Sequence, residues 1–216
     1  MKKQLIITAL IFATGSSLLP AQRGERGMVN RDEVVARREF HSVQGEFEAW
    51  KTAILGAASL QGSLSTENQS NVESFYEGLN KAVKEERLSD ESFGDIGTDY
   101  VRLVLNAKKM SEEKFAEELG KLQVKASESL DGVIDAATGT PNVNSEQARA
   151  RELLWFGIAT EKISKGKRST IERKMDALDS LKLKAKSDKK LSEREREKLE
   201  EEADEIVIEL MESLAS

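Results

Sequence analysis

The chain contains no cysteine and a single histidine, His41, among its 216 residues. Without thiols there is no disulfide, no thiolate metal site and no cysteine nucleophile, so ordinary core packing must hold the fold together. A single imidazole excludes sites that need two or more, including the di-iron bundles built on paired Glu-x-x-His motifs. We therefore expect His41 to be a structural residue near the start of a helix.

Proline, aromatic residues and recognisable catalytic motifs are also scarce. The sequence has two prolines and 5% aromatic residues, whereas 33% of its residues are charged. This composition, without strand-like alternation, predicts an all-α fold. Gly-rich phosphate loops, the calcium-loop pattern and the Gly-x-Ser-x-Gly motif do not occur in the sequence. No catalytic, cofactor-binding or metal-binding residue can be assigned, so we predict a non-enzymatic protein without a cofactor.

The first 21 residues have the layout of a bacterial signal peptide. Lys2 and Lys3 precede an apolar run over residues 5–19, and Pro20 and Ala21 follow it. The run is shorter than the ~20 residues that span a bilayer. We expect cleavage after Ala21, a periplasmic or secreted location, and no transmembrane span after cleavage. Loss of both lysines changes the formal net charge from −6 to −8, which disfavours nucleic acid as a partner.

Apolar residues spaced three and four apart predict several amphipathic helices. Four such stripes, which begin at Val43, Val72, Phe93 and Phe115, define a predicted N-terminal helical region over residues 22–137. Residues 138–145 collect turn-forming residues without an apolar period and predict a linker. Residues 146–216 then form a predicted C-terminal helical hairpin region. Trp50 and Trp155 lie on apolar stripes and are expected to anchor the core.

Helix starts are marked by polar residues that can cap free backbone amides. Ser89, Ser111 and Ser192 each follow a cation and an apolar residue and precede acidic residues, which is typical of a helix N-terminus. Capping boxes are predicted where a hydroxyl residue precedes Glu or Gln by three positions. These pairs are Thr66 with Gln69, Ser169 with Glu172, and Ser192 with Glu195. Gly166 is predicted to end the helix before Ser169.

The last third of the chain carries two segments of opposite charge. Residues 162–190 contain eleven basic and four acidic residues, and residues 191–216 contain three basic and ten acidic ones. This pattern predicts an antiparallel hairpin in which the acidic helix neutralises the basic one. The spacing of Leu199, Ala203, Ile206 and Leu210 predicts a coiled-coil seam. The predicted architecture is an antiparallel array of roughly four helices followed by this hairpin.

For function, the leading hypothesis is an exported, non-enzymatic protein of the cell envelope that binds another protein, as a scaffold, adaptor or chaperone-like binder. One alternative is an envelope hydrolase in which two helix-borne carboxylates converge in a pocket beside Trp50 or Trp155. Another is a binder of anionic envelope lipids through the basic segment 162–190. A homo-oligomer joined by an intermolecular coiled coil is a further possibility. The acids that could in principle supply the carboxylates of a hydrolase, or oxygen ligands for a divalent cation, are Glu112/Glu113, Glu117/Glu118 and Glu200 to Glu202.

Overall fold

A computed structural model describes residues 31–130, 138–187 and 190–216. Within these residues the fold is all-α, as predicted, with seven α-helices and no strand. The helices are α1 (Arg31–Trp50), α2 (Thr66–Lys84), α3 (Asp90–Asn106), α4 (Glu112–Glu128), α5 (Pro141–Ala159), α6 (Lys165–Ala185) and α7 (Glu193–Leu214). Short π-helical and 3₁₀ segments follow α1 and α3, at Lys51–Leu55, Ala58–Leu60 and Ala107–Lys109.

The chain divides into two compact units, Met1–Glu39 and Phe40–Ser216. The described part of the first unit, Arg31–Glu39, is helical. The predicted signal peptide, with its cleavage site, lies outside the described residues. Among the helices that the structure describes, none combines the length and the apolar character needed to cross a membrane.

Three of the predicted helix starts are confirmed at the predicted residue. Ser89, Ser111 and Ser192 are the N-caps of α3, α4 and α7, and each side chain accepts a hydrogen bond from a backbone amide three positions on. The capping box of Ser192 and Glu195 is complete, because Glu195 Oε2 also accepts from the backbone amide of Ser192 at 2.9 Å. Local chemistry alone therefore fixed these helix boundaries.

Two predicted caps were placed too far along the chain. Ser65 caps α2 with an extended backbone, and its side chain accepts from Asn68 N, so Thr66 is already helical. Ser164 caps α6 in the same way by accepting from Lys167 N. Gly166 consequently lies inside α6, and the break between helices falls at residues 160–164. In both cases the sequence offers two hydroxyl residues, and the earlier one caps the helix.

The segment that was predicted as a linker, 138–145, is helical from Pro141 onward. Proline at the first helical position fits there because its fixed φ suits a helix and its missing amide is not needed. Thr140, just before it, is buried and donates through its backbone amide to Glu86 Oε1 at 2.8 Å. The polar residues of this segment therefore make tertiary hydrogen bonds rather than an exposed connection.

Two apolar clusters form the core of the unit Phe40–Ser216. The first is built by α2, α3, α4 and the short segment before α2, with Phe93, Ile96, Tyr100 and Phe115 fully buried. The second joins part of α1 to α5, α6 and α7. Helix α5 contributes to both clusters: Ala148 and Trp155 belong to the first, whereas its other apolar residues, among them Leu153 and Phe156, belong to the second.

The acidic helix α7 packs more extensively on α5 than on its sequence neighbour α6. All four residues of the predicted seam, Leu199, Ala203, Ile206 and Leu210, are buried in the second cluster. Asn142 of α5 donates to Glu200, and Gly157 of α5 lies beside Leu214, so α5 and α7 run in the same direction. The C-terminal region is thus a three-helix arrangement around α5, and a two-stranded coiled coil is not confirmed.

Candidate functional site

A polar cleft of about 230 Å³ lies between α1, α2 and α5. Helix α2 lines it with residues one turn apart, and α5 does so with residues from three successive turns. The π-helical segment after α1 contributes one lysine. The lining residues are Phe47, Glu48, Lys51, Asn80, Lys84, Ser145, Ala148, Arg149 and Glu152. The cleft therefore contains three cations, two carboxylates and little apolar surface.

Glu152 is buried beside this cleft, with 2% of its surface exposed. Its Oε1 accepts from the Tyr76 hydroxyl and, at 3.4 Å, from the Asn80 amide, while its Oε2 accepts from Lys51 Nζ at 2.6 Å. An unpaired buried carboxylate would cost several kcal/mol. Because both oxygens are occupied, the charge of Glu152 is compensated within the protein.

Tyr76 is held as a hydrogen-bond donor to Glu152. Burial, and then the adjacent charge of Glu152, raise the pKa of Tyr76 far above its ordinary value, so the phenol stays protonated. Its ring stacks on Tyr100 with 5.5 Å between ring centroids, and the Tyr100 hydroxyl donates to the Leu55 carbonyl at 2.8 Å. This arrangement fixes the position of Glu152 and, through it, the position of Lys51.

The outer part of the cleft contains cations that are less completely paired. No hydrogen bond or ion pair joins Lys84 Nζ to another described residue. Arg149 pairs with Glu146 of its own helix at 3.7 Å, close to the longest distance that counts as an ion pair. Ser145 lies one turn before Arg149, and its hydroxyl makes no hydrogen bond within the described residues. Glu48, which is exposed, is the acidic residue of this outer part.

A second polar cluster surrounds Glu86, in the turn between α2 and α3. Its carboxylate accepts from Lys186 Nζ at 2.7 Å, from Asn144 Nδ2 at 3.0 Å, and from the Thr140 backbone amide and hydroxyl. Burial alone would raise the pKa of Glu86, but these hydrogen bonds lower it to about 2. Lys182 extends the cluster by donating to Asn144 and Gln147 of α5 at 2.8 and 2.7 Å.

A buried ion pair connects α3 to α5. Asp90, at the start of α3, accepts hydrogen bonds from two N–H groups of the Arg151 guanidinium: Nε, which is shared between Oδ1 at 3.3 Å and Oδ2 at 3.1 Å, and Nη2, which lies 2.5 Å from Oδ2. Gly94 makes room for this guanidinium, since a Cβ there would lie 2.9 Å from Arg151 Cζ. These two polar clusters tie α5 and α6 to α3 and to the turn before it, which is a structural role.

The exposed surface of α7 is strongly acidic. This helix contains ten acidic and three basic residues. Glu209 is neutralised by α6, because it pairs with Lys167 at 2.8 Å and with Lys174. Glu197, Glu201 and Glu205 are exposed, lie four residues apart on one face, and form no ion pair within the described residues. Within the described residues, Glu209 is thus the acid of α7 that we find neutralised by cations of α6.

Other cations of the basic segment contact parts of the chain other than α7. Lys162 pairs with Glu46 of α1 at 2.5 Å, Lys186 pairs with Glu86, and Lys182 contacts α5. Three members of this segment are thereby used to hold the fold together. Leu183 of α6 is 74% exposed, and it lies beside Lys184 on the outer surface of the helix.

The residues singled out from the sequence fall mainly in structural positions. Trp155 is buried against Phe93 at 5.2 Å between ring centroids, and Trp50 packs against Phe156 at 5.7 Å. His41 is exposed in the middle of α1, and not near the start of a helix as predicted. Four of the predicted acids make contacts that brace helices: Glu112 accepts from Ser65 and Asn68, Glu117 and Glu118 pair with Lys121, and Glu200 accepts from Asn142.

The cleft brings together two carboxylates from separate helices, Glu48 and Glu152, as the hydrolase alternative requires. Neither tryptophan lines this cleft, however, and Glu152 already uses both oxygens. A glycosidase acid is enclosed by apolar groups that retain its proton, whereas Glu48 is exposed. Within the part of the chain that the structure describes, no cluster of three acidic or histidine side chains could hold a metal ion.

Sequence reasoning missed the pairing of Lys51 with Glu152. The available signal was Glu152 itself, which directly precedes the apolar run Leu153, Leu154, Trp155 and Phe156. A helix that is apolar on all sides is buried, so an acid at this position needs a partner. The identity of that partner, 101 residues away, could not be read from local periodicity.

Comparison with known proteins finds no matching family model, no matching curated protein and no matching solved structure.

Proposed function

We propose that this chain is an exported, non-enzymatic protein of the bacterial cell envelope that acts by binding another protein, as a scaffold, adaptor or chaperone-like binder. The surface that we assign to this contact is the acidic stripe of α7, defined by Glu197, Glu201 and Glu205. The partner that fits this stripe is a protein with a basic surface.

The observation that carries this proposal is the unpaired state of the acidic stripe. Like charges four residues apart on a helix destabilise it by about 0.2–0.5 kcal/mol per pair. Glu197, Glu201 and Glu205 form two such pairs, and none of the three is neutralised by α6 or by another described residue. No ion pair within the described residues offsets this repulsion, and we infer that a binding role accounts for the arrangement.

The apolar side of α7 is buried in the core, so a partner of this helix would meet a charged surface rather than an apolar one. Leu199, Ala203, Ile206, Leu210 and Leu214 are all buried in the second cluster. The helix consequently has no apolar seam left to offer a second helix, which argues against an intermolecular coiled coil. Its free surface is polar, and complementary charge across such a surface chiefly determines partner choice and association rate.

The test is a cross-linking pull-down from envelope extract with three forms of the protein. The first is the wild type, and the second carries Glu197→Gln, Glu201→Gln and Glu205→Gln. The third is a matched control with Glu77→Gln, Asp95→Asn and Glu113→Gln, which removes three exposed acidic charges from α2, α3 and α4.

We expect the wild type and the control to recover the same basic protein, and the α7 variant to recover much less of it. Recovery should also fall when the salt concentration rises from about 0.1 M to 1 M, because the Debye length shortens from about 10 Å to 3 Å. Equal recovery by all three forms would refute the assignment to α7. Recovery of phospholipid vesicles instead of a protein would favour the lipid-binding alternative.

The proposed export has a separate test. When the full chain is produced in a bacterium, N-terminal sequencing of the protein from the periplasmic or secreted fraction should begin at Gln22. A cytoplasmic protein that keeps Lys2 and Lys3 would contradict export without bearing on the charge of α7.

A further inference from the structure

We propose that the outer part of the cleft between α1, α2 and α5 is a binding site for a small oxyanion, either a carboxylate or a phosphate. Lys84, Arg149 and the hydroxyl of Ser145 are the groups that would bind it. This inference goes beyond the proposed function, since it concerns a different surface from the acidic stripe of α7.

The cations of the cleft differ in how completely they are paired. Lys51 is bound to Glu152 at 2.6 Å, and the buried Arg151 nearby on α5 is bound to Asp90 through two hydrogen bonds. Lys84, by contrast, has no hydrogen-bonded or ion-paired partner among the described residues, and Arg149 has a partner at 3.7 Å, Glu146. The cleft thus contains one cation without an ion-paired partner among the described residues, Lys84, and one cation, Arg149, whose ion pair with Glu146 is long.

Glu146 is a weak internal competitor for these cations. Its ion pair with Arg149 is long, at 3.7 Å. Burial raises the pKa of Glu146; the charge of Arg149 opposes this effect, the charge of Asp204 adds to it, and the charge of Lys84 opposes it. An oxyanion in the cleft would offer Arg149 a closer partner, and Arg can bind carboxylate or phosphate through two parallel hydrogen bonds. Ser145, one turn earlier on α5, adds a neutral donor.

The size and the inner wall of the cleft limit the ligand. A volume of about 230 Å³ is below the roughly 300–1,000 Å³ of clefts that hold drug-sized molecules, so the ligand is small. Glu152 is already saturated by Tyr76, Asn80 and Lys51, so it neither repels nor recruits a ligand strongly. Glu48 remains as a carboxylate near the opening, and it should weaken the binding of any anion.

The test is an NMR titration of uniformly ¹⁵N-labelled protein, as recovered from expressing cells, with two probes. Inorganic phosphate and succinate are added separately up to about 10 mM, where a millimolar site is largely occupied, and chloride keeps the ionic strength constant. We expect saturable shifts of the amide signals of residues that line the cleft. Binding of one probe and not the other would identify which oxyanion the site takes.

Four variants test both the direction and the size of the expected changes in anion affinity. Lys84→Gln and Arg149→Gln should each weaken binding about tenfold, since each loses a charged hydrogen bond. Glu48→Gln should tighten binding by about twofold to fivefold, because it removes a like charge. Lys81→Gln removes a cation from the same last turn of α2, outside this cleft, and should change nothing.

Three results would overturn the proposal. The first is the absence of saturable shifts with both probes. The second is a set of shifts spread over the exposed cations of α6 rather than the cleft. The third is equal weakening by Lys81→Gln and Arg149→Gln, or any weakening by Glu48→Gln, since these would mean that the anions respond to net charge alone.

Discussion

Helices α5 and α7 both pack in the second core cluster, but they place their charges in opposite environments. The charged side chains Arg151 and Glu152 of α5 are largely buried, and each is bound to a partner from another part of the chain. The exposed acids of α7 on the stripe Glu197, Glu201 and Glu205 have no such partner within the described residues. A buried charge must be compensated inside the protein, whereas an exposed one is compensated by water. The two helices should therefore respond very differently to loss of charge.

The largest effect is expected from breaking the ion pair at the α3–α5 contact. Asp90→Ala leaves the guanidinium of Arg151 buried without a counter-charge, which should lower the free energy of unfolding by about 3–5 kcal/mol. Asp95→Ala, an exposed change on the same helix, should alter it by no more than about 0.5 kcal/mol. Urea denaturation followed by circular dichroism measures both.

A double substitution separates the charge from the packing at this contact. Asp90→Ala combined with Arg151→Met removes both charges, so it should recover a large part of the stability that Asp90→Ala loses. If the double variant is less stable than Asp90→Ala, Arg151 contributes mainly through packing, and our explanation for the buried charges of α5 is wrong.

A smaller effect is expected where α5 approaches α3 at a glycine. A Cβ at Gly97 would lie 2.1 Å from the Trp155 ring, so Gly97→Ala should cost about 1–3 kcal/mol by overpacking, although alanine favours a helix. Gly78→Ala on α2 meets no atom within 4 Å and should stabilise the protein by about 0.5–1 kcal/mol. Opposite signs in thermal denaturation would confirm that contact with α5 decides the outcome.

The free energy of unfolding should also depend on pH through Glu86, a carboxylate that is held by partners inside the fold. The pKa of Glu86 is lowered in the folded state from 4.5 to about 2. Its contribution to stability is therefore fully present above about pH 4.5 and is lost as the pH falls towards 2. After allowance for solvent screening we expect about 1–2 kcal/mol. The measurement is urea unfolding between pH 2 and 6, with wild type compared to Glu86→Gln.

The difference in free energy of unfolding between wild type and Glu86→Gln isolates the contribution of Glu86, because the two proteins share all other carboxylates. A difference that stays constant between pH 2 and 6 would show that Glu86 is not held ionised by Lys186 and Asn144.

The smallest effect is expected on α7 itself. Glu197→Gln, Glu201→Gln and Glu205→Gln should each change the free energy of unfolding by no more than about 0.5 kcal/mol, with a slight gain because like charges at this spacing repel. The measurement is urea denaturation at low salt. A loss above 1 kcal/mol for any of them would show that the acidic stripe supports the fold, and it would remove the main argument for a binding role.

Local signals in the sequence predicted where helices begin better than they predicted which residues contact each other across the fold. Ser89, Ser111 and Ser192 were correctly identified as caps, because capping depends on residues within one turn. The cap at Ser164 was missed in favour of Ser169, since both positions carry a hydroxyl and the choice depends on where α5 ends. Pro141 was read as part of a linker because the hydrogen bonds of Thr140 and Asn144 with Glu86 are not visible in a local pattern.

The charge pattern of the last third misled the prediction in a specific way. Equal and opposite net charges suggested that α6 and α7 neutralise each other, yet the structure joins them by ion pairs to one acid, Glu209. Burial of apolar surface is worth more than exposed ion pairs of about 0–1 kcal/mol each. The apolar side of α7 therefore decided its packing, and this packing placed it mainly on α5.

The sequence by itself determined the helical class, the starts of α3, α4 and α7, and the apolar stripes of the helices, because these depend on residues within one or two turns of each other. The tertiary structure alone decided that α5 contributes to both clusters, that Glu152 meets Lys51 and Tyr76, and that the acidic stripe of α7 has no ion pair with another described residue. These outcomes follow from contacts between residues far apart in the chain, where burial raises the cost of any charge without a partner.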